Sequence, residues 1–158
     1  MKKEEKTNVM RILEQKKASY IPHLFDKDLA VAGNDVAALL GEDPERCFKT
    51  LVTVGRSGRY YVYMIPVCGE LDLKAAAKAA GEKSVEMIPQ KQLLPLTGYI
   101  HGGCSPIGMK KLFPTFLHRT AADFGTIYFS GGKQGCQVEM APEELCRVIE
   151  IRYADLIV

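Results

Sequence analysis

Apolar residues in the first third of the chain recur at the spacing of amphipathic helices. They repeat every three to four positions between 8 and 17, which predicts an opening helix, and residues 19–23 then have the composition of an extended segment. Asn34 is placed to cap a second helix that ends at Gly41. Asp43–Pro44 has the cap-then-proline arrangement that begins a further helical turn.

The middle of the chain changes to a strand pattern. Residues 49–54 and 60–67 are rich in β-branched and aromatic side chains, and a short glycine-containing segment separates them. This pattern predicts an antiparallel hairpin. Asp72 can cap an alanine-rich helix over 73–80 that Gly81 closes.

The second half of the chain contains shorter apolar runs between turn residues. Pro142 is placed to open a final helix, and the other predicted elements are an extended run at 85–88, a helix at 90–94 and strands at 115–118, 126–129 and 136–140. Helices and strands interleave without repeated βαβ units. This order predicts an α+β fold with a mixed or mostly antiparallel sheet.

Length and cysteine content are those of one intracellular domain. A chain of 158 residues with 47% hydrophobic residues can bury its own core, so we expect a disordered tail over 1–7 and a single domain over 8–158. The five cysteines are odd in number and contain no C-x-x-C pair, which indicates neither a disulfide framework nor a zinc site. A reducing cytoplasm fits this pattern, and no metal or other cofactor is expected.

The charge pattern limits the classes of partner. A net charge of +2 is too small for a general nucleic-acid-binding protein, so we expect no DNA partner and only local contacts to RNA. Lys16–Lys17 and Lys110–Lys111 are adjacent basic pairs that also fit an ordinary solvated surface. No apolar run approaches the length of a signal sequence or a membrane span, so no membrane partner is expected.

The most informative segment is the glycine-rich run at 98–108. It reads GYIHGGCSPIG and places four glycines and Pro106 between apolar segments. Glycine has no Cβ and adopts positive φ readily, so a ligand can lie against the main chain of such a segment. Because proline removes one amide donor and fixes one φ, the run has the properties of a shaped binding loop.

This run occurs together with two other motifs. They are Phe48-Lys-Thr-Leu51 and Ser130-Gly-Gly-Lys-Gln-Gly135. With them, the chain resembles the YbaK/EbsC family of aminoacyl-tRNA deacylases, relatives of the editing domain of bacterial prolyl-tRNA synthetase, from about Asn8 to its end. The resemblance implies a partly closed, barrel-like sheet flanked by helices.

The resemblance also implies a set of site residues. Lys49 matches the family's essential lysine, and the segment 102–106 matches a G-x-x-x-P motif that holds the aminoacyl group. The implied catalytic residues are Lys49 and Gly102, and the implied substrate-binding residues are Gly103, Ser105, Pro106, Ser130 and Lys133. From the residues alone, Lys49 also fits a surface lysine and the two glycine motifs also fit ordinary turns.

Two further positions bear on the chemistry. His101 and Cys104 could form a base and nucleophile, but residues three apart in a glycine-rich loop need not face each other, and no third orienting group is evident. Many relatives in the family place an acidic residue where this chain has Gln137. A role that requires a carboxylate at that position is therefore in doubt.

The function implied by the resemblance is editing in trans. The chain would remove cysteine from mischarged Cys-tRNA(Pro), and also from Cys-tRNA(Cys), with the substrate's own thiol attacking its ester. The implied partners are the aminoacylated 3′ end of tRNA and prolyl-tRNA synthetase, and Lys49, Lys133 and Lys110 or Lys111 are candidates for phosphate contacts. Two alternatives stay open: a deacylase for another small aminoacyl group, such as Ala-tRNA(Pro), and a non-catalytic module that binds tRNA ends or a synthetase.

Overall fold

A computed structural model describes residues 6–30 and 32–158. The five α-helices in these residues are α1 (Asn8–Gln15), α2 (Gly33–Leu40), α3 (Leu73–Ala80), α4 (Leu93–Thr97) and α5 (Pro142–Val148). The strands are β1 (Ile21–Leu24), β2 (Phe48–Gly55), β3 (Tyr60–Pro66), β4 (Val85–Met87), β5 (Thr115–His118), β6 (Ile127–Ser130), β7 (Cys136–Met140) and β8 (Ile151–Ala154).

The strands form two sheets of a single α+β domain. A five-stranded mixed sheet has the order β4-β2-β3-β5-β8, in which β2 and β3 are antiparallel and β3, β5 and β8 are parallel. A three-stranded antiparallel sheet has the order β1-β7-β6. An isolated bridge between Cys47 and Tyr128 links them. Within the described residues the strands form no closed barrel, and the α+β domain with a mixed sheet is as predicted.

The main core lies where the apolar faces of both sheets and two helices meet. Helix α1 contributes Val9 and Leu13, both fully buried, and α5 contributes Leu145. A second core covers the opposite face of β3, where Tyr63 stacks on Phe116 and donates a hydrogen bond to the Ala76 carbonyl at 2.8 Å. Strand β3 is therefore buried on both faces, as its almost continuous apolar sequence requires.

Several predicted elements are confirmed. Strands β2 and β3 form the predicted hairpin, with Lys49 opposite Ile65. The Asp72 carboxylate accepts hydrogen bonds from the first amides of α3, and Gly81 ends this helix with a φ of +73°. These elements were predictable because hairpin turns and helix caps depend on residues close in sequence.

Other predictions need correction. Helix α2 begins after Ala32, which makes no side-chain cap, so Asn34 lies inside the first turn and the predicted cap is wrong. The predicted helix at 90–94 is a 3₁₀ turn that leads into α4. Strand β8 was not predicted at all. Residues 1–5 of the predicted tail lie outside the described residues, and Thr7 caps α1 by accepting from the Met10 amide at 3.2 Å.

Candidate functional site

A cavity of about 380 Å³ opens beside the first half of β2. Strand β4 pairs with Thr53–Gly55 and the Ile88 amide donates to the Val52 carbonyl, so among the described residues no strand pairs with 49–51 of β2 on that side. The cavity forms at this edge, between β2, the start of α2, the ends of β6 and β7, and the glycine-rich run at 98–108, which we call the glycine loop. The structure thereby brings Lys49, Gly102 and Ser130 to one cavity.

Lys49 is the charged side chain on the cavity wall. It is half-buried in β2, directly after Phe48, which is 3% exposed and belongs to the main core. In the described part of the chain, no carboxylate pairs with the Lys49 ammonium and no hydrogen bond holds it. A cation that is half-buried and unpaired is available for an anionic ligand or for developing negative charge.

The glycine loop is held in shape by its neighbours. Gly102 has a φ of +84° and lines the cavity. Gly103 packs on the backbone of the 130–135 turn, because a Cβ there would lie 3.0 Å from the Lys133 Cα. Gln134 Nε2 donates to the His101 carbonyl at 2.9 Å. The glycine motif at 130–135 therefore packs against the glycine loop and holds it in shape. The spacing of the two motifs in the sequence did not predict this contact.

The other predicted residues have different positions. Ser130 ends β6 on the cavity wall, and its Oγ accepts from the Gly132 amide at 3.1 Å. Ser105 is fully buried and its Oγ accepts from the Ile107 amide at 3.3 Å, which shapes the loop. Pro106 lines a separate groove, and Lys133 is exposed outside the cavity lining. Lys49, Gly102 and Ser130 are thus the predicted residues that face the cavity.

Three buried cysteines, Cys47, Cys104 and Cys136, also line the cavity. Burial raises the pKa of the Cys104 thiol to about 12, and burial together with the nearby Glu42 raises the pKa of Cys47. Cys104 and Cys47 are therefore neutral thiols at physiological pH and poor nucleophiles. His101 is exposed, and within the described residues no hydrogen bond joins its ring to Cys104.

Gln137, singled out in the sequence, has a polar partner in Glu42 that sequence reasoning missed. Gln137 is only 7% exposed, and its Oε1 has no hydrogen-bond partner among the described residues. Its amide is hydrogen-bonded to the Glu42 carboxylate, which also accepts from Cys47 Sγ at 3.4 Å. Burial raises the pKa of Glu42. A cavity-lining residue thus has a carbonyl oxygen with no partner among the described residues, and its side chain is hydrogen-bonded to a carboxylate that does not line the cavity.

Gly102 provides a direct test of the loop. Gly102→Ala is expected to lower the deacylation that the resemblance implies at least about tenfold, because a non-glycine residue is disfavoured at a φ of +84° and a methyl group reduces the space beside the main chain. Gly58→Ala is the matched control, since Gly58 has a φ of +90° with open space around it and lies in the β2–β3 turn. Equal activity of both variants would show that the loop conformation does not matter for the reaction.

The described residues contain no group of three metal-binding side chains placed to hold an ion. Their helices are also too short or too polar to cross a membrane.

The sequence and the fold were compared with known proteins. The profile of the aminoacyl-tRNA editing domain matches residues 27–148, a range that includes Lys49, Gly102, Ser130 and Gln137. A protein of Enterococcus faecalis, named by inference a Cys-tRNA(Pro)/Cys-tRNA(Cys) deacylase, EbsC, is 46% identical over 156 residues, which covers 98% of this chain and 95% of the relative.

Two crystal structures share the fold. The hypothetical protein APE2540 superposes with a TM-score of 0.86 at 24% identity, over 94% of this chain and 97% of its own. A protein assigned by inference as a trans-editing enzyme for prolyl-tRNA synthetase superposes with a TM-score of 0.81 at 22% identity, over 98% of this chain and 99% of its own. At these identities the superpositions support the fold.

Proposed function

The chain belongs to the family of aminoacyl-tRNA editing domains and is an aminoacyl-tRNA deacylase, and we propose that it removes cysteine in trans from Cys-tRNA(Pro) and from Cys-tRNA(Cys). The name of the Enterococcus faecalis relative supports this choice of amino acid. The observation that carries the proposal is the composition of the cavity. An unpaired lysine faces a small space in which the Cys47 and Cys104 thiols are neutral, so the site offers charge and position to a substrate that brings its own nucleophile.

The proposed reaction uses the thiol of the bound cysteinyl group. Its sulfur attacks the ester carbonyl, a carbon–sulfur bond forms, and the bond from the carbonyl carbon to the ribose oxygen breaks. The thiol proton is transferred to that ribose oxygen, which releases the tRNA, and water then opens the cyclic thioester to free cysteine. The Lys49 ammonium stabilises the negative charge that develops on the carbonyl oxygen, and the glycine loop holds the ester in place.

Charge also orients the substrate. An aminoacyl ester carries an α-ammonium, which Lys49 repels and an acceptor attracts. We assign the α-ammonium to Gln137 Oε1, because Gln137 lines the cavity, this oxygen is buried without a partner among the described residues, and the side chain is hydrogen-bonded to the Glu42 carboxylate. Glu42 would then supply, through Gln137, the negative charge that an acidic residue would supply directly at this position.

Gln137→Leu tests this assignment. The variant keeps the size of the side chain and removes the acceptor, so kcat/KM is expected to fall about 10- to 100-fold, the size of a hydrogen bond to a charged group. The exposed Gln92 is the control position, as Gln92→Leu is expected to have little effect. Unchanged kinetics in a folded Gln137→Leu protein would remove Gln137 from substrate binding.

Editing of this kind has a physical rationale. A synthetase pocket cannot strongly reject an amino acid of similar size by binding alone, so a second site that clears the product improves accuracy. We propose that this chain supplies such a site and acts on the 3′ end of the tRNA. Its net charge of +2 favours weak selection among tRNA bodies, with prolyl-tRNA synthetase as the partner that delivers the substrate.

A substrate panel tests the proposed function. Cysteinyl, alanyl and prolyl groups on one tRNA(Pro) are offered to the purified protein, and we expect fast release of cysteine only. A cavity of about 380 Å³ admits each of these groups, so the discrimination must come from chemistry. Faster release of alanine would favour an alanyl-tRNA deacylase, and tRNA binding without any ester cleavage would favour the non-catalytic module.

A further inference from the structure

A second cavity, a groove of about 750 Å³, lies at the other end of β3. It lies at the amino-terminal ends of the parallel strands β3, β5 and β8, where Arg59, Phe113 and Arg152 line it. Tyr60 and Phe113 meet edge to face with 5.8 Å between ring centroids, and both remain half-buried. The groove therefore has an aromatic floor, and none of the residues proposed for catalysis lines it.

The charged side chains of this groove are mainly cationic. Three cations line it, Arg59, Lys111 and Arg152, against one carboxylate, Glu150. None of these three cations forms an ion pair within the part of the chain that the structure describes. The neighbouring Glu82 accepts hydrogen bonds from Ser57 and Tyr61. These bonds together with the nearby Arg59 guanidinium lower the pKa of Glu82, so Arg59 has a carboxylate close by without an ion-pair contact. Exposed cations without an ion pair can bind the phosphates of a nucleic acid, and the neighbouring aromatic rings can stack on its bases. The groove therefore has the properties of a surface that binds single-stranded RNA.

The glycine loop contributes residues to both the groove and the cavity. Gly102 and Cys104 line the cavity, whereas Pro106 and Gly108 line the groove. Along β3, Ile65 lies opposite Lys49, and Arg59 to Tyr61 begin the strand, so four to six residues separate the two sites. At about 3.3 Å per residue this is roughly 13–20 Å, a distance that a few nucleotides of a single strand span.

We propose that this groove, which we call the cationic groove, binds the RNA strand a few nucleotides before the aminoacylated end, with Arg59, Lys111 and Arg152 on its phosphates. This proposal rests on the proposed function for the identity of the RNA. An acceptor end that enters the cavity would pass over the glycine loop and reach the groove near the start of the acceptor stem. The chain would thereby hold its substrate at two places despite its low net charge.

The test uses an RNA hairpin that carries no amino acid and copies an acceptor stem with its 3′ CCA end. Its affinity for the full chain is measured by fluorescence anisotropy from 50 to 200 mM salt. The variant is Arg59→Gln/Lys111→Gln/Arg152→Gln, and the control is Lys16→Gln/Lys17→Gln/Lys74→Gln, which loses the same charge at exposed positions outside both cavities. A single adenosine that carries cysteine on its ribose serves as the short substrate, because one nucleotide is too short to reach from the cavity to the groove.

We expect the groove variant to bind the hairpin at least about tenfold more weakly at 50 mM salt. The slope of log affinity against log salt concentration should become shallower by about 2, since each of the three lost phosphate contacts removes about 0.7. The control should bind within twofold of the original chain, and all three proteins should cleave the short substrate at equal rates.

Other results separate the possibilities. Equal hairpin binding by the groove variant and the control overturns the proposal. It is also overturned if the groove variant binds RNA normally and loses binding to prolyl-tRNA synthetase, because the groove would then be a protein-docking surface. If only the groove variant loses hairpin binding, but the original chain cleaves no aminoacyl ester, the RNA-binding role of the groove is supported and the proposed function is refuted.

Discussion

Lys49→Ala is expected to lower kcat/KM for cysteinyl-tRNA at least about 100-fold, the usual cost of removing one group that stabilises an oxyanion. The ammonium has no partner in the described structure, so its loss breaks no ion pair and no hydrogen bond. We expect the free energy of unfolding to change by less than about 1 kcal/mol, since only part of the aliphatic stem is buried. Single-turnover deacylation and thermal unfolding of the same preparation measure both effects.

Two further variants separate charge from shape. Lys49→Met keeps most of the side-chain length and should be as inactive as Lys49→Ala, whereas Lys49→Arg keeps the charge and should retain more activity. Lys83→Ala, at an exposed lysine outside the cavity, is the control and should be fully active. If the folded Lys49→Ala protein turns over normally, Lys49 has no part in the reaction.

The parts of the site that sequence predicted are those set by local patterns. Lys49 was placed on a strand because β-branched residues and a glycine turn mark the β2–β3 hairpin. Gly102 was singled out by the density of glycines around it, and its φ of +84° shows the backbone freedom that this density implied. Such local structure can be predicted from sequence because residues close in the chain determine it and the fold is consistent with it.

The parts that sequence did not predict depend on contacts between distant segments. Strand β8 has only four residues and is held by parallel pairing with β5. Its local sequence does not predict a strand, because the pairing partner is distant in sequence. Glu42 reaches the site only because α2 ends beside β7, where Gln137 lies. Gly103 was expected to contact substrate, and the reason for glycine there is the close approach of the Lys133 backbone. Each of these relations is tertiary.

Seryl-tRNA is expected to be deacylated at least about 100-fold more slowly than cysteinyl-tRNA. The two aminoacyl groups have nearly the same shape, so the cavity should bind both. A cysteine thiol has a pKa of about 8.5 and is a few per cent thiolate near neutral pH, while a serine hydroxyl is not ionised there. If the substrate supplies the nucleophile, this difference in reactivity appears directly in the rate.

Cys104→Ser is the matched control for this comparison. Burial raises the pKa of Cys104 to about 12, so the reaction should not use its thiol, and the variant should retain most of the original rate. Loss of nearly all activity in a folded Cys104→Ser protein would instead identify a protein thiol as the nucleophile. The same variant should also preserve the preference for cysteinyl over seryl groups.

The most direct test of the account is a single-turnover measurement with the purified chain and one tRNA(Pro) body that carries either cysteine or serine. The account predicts rapid release of cysteine and at least about 100-fold slower release of serine, because a thiol is the better nucleophile near neutral pH. Equal rates for the two esters would contradict the claim that the substrate's thiol attacks its own ester in the cavity beside Lys49.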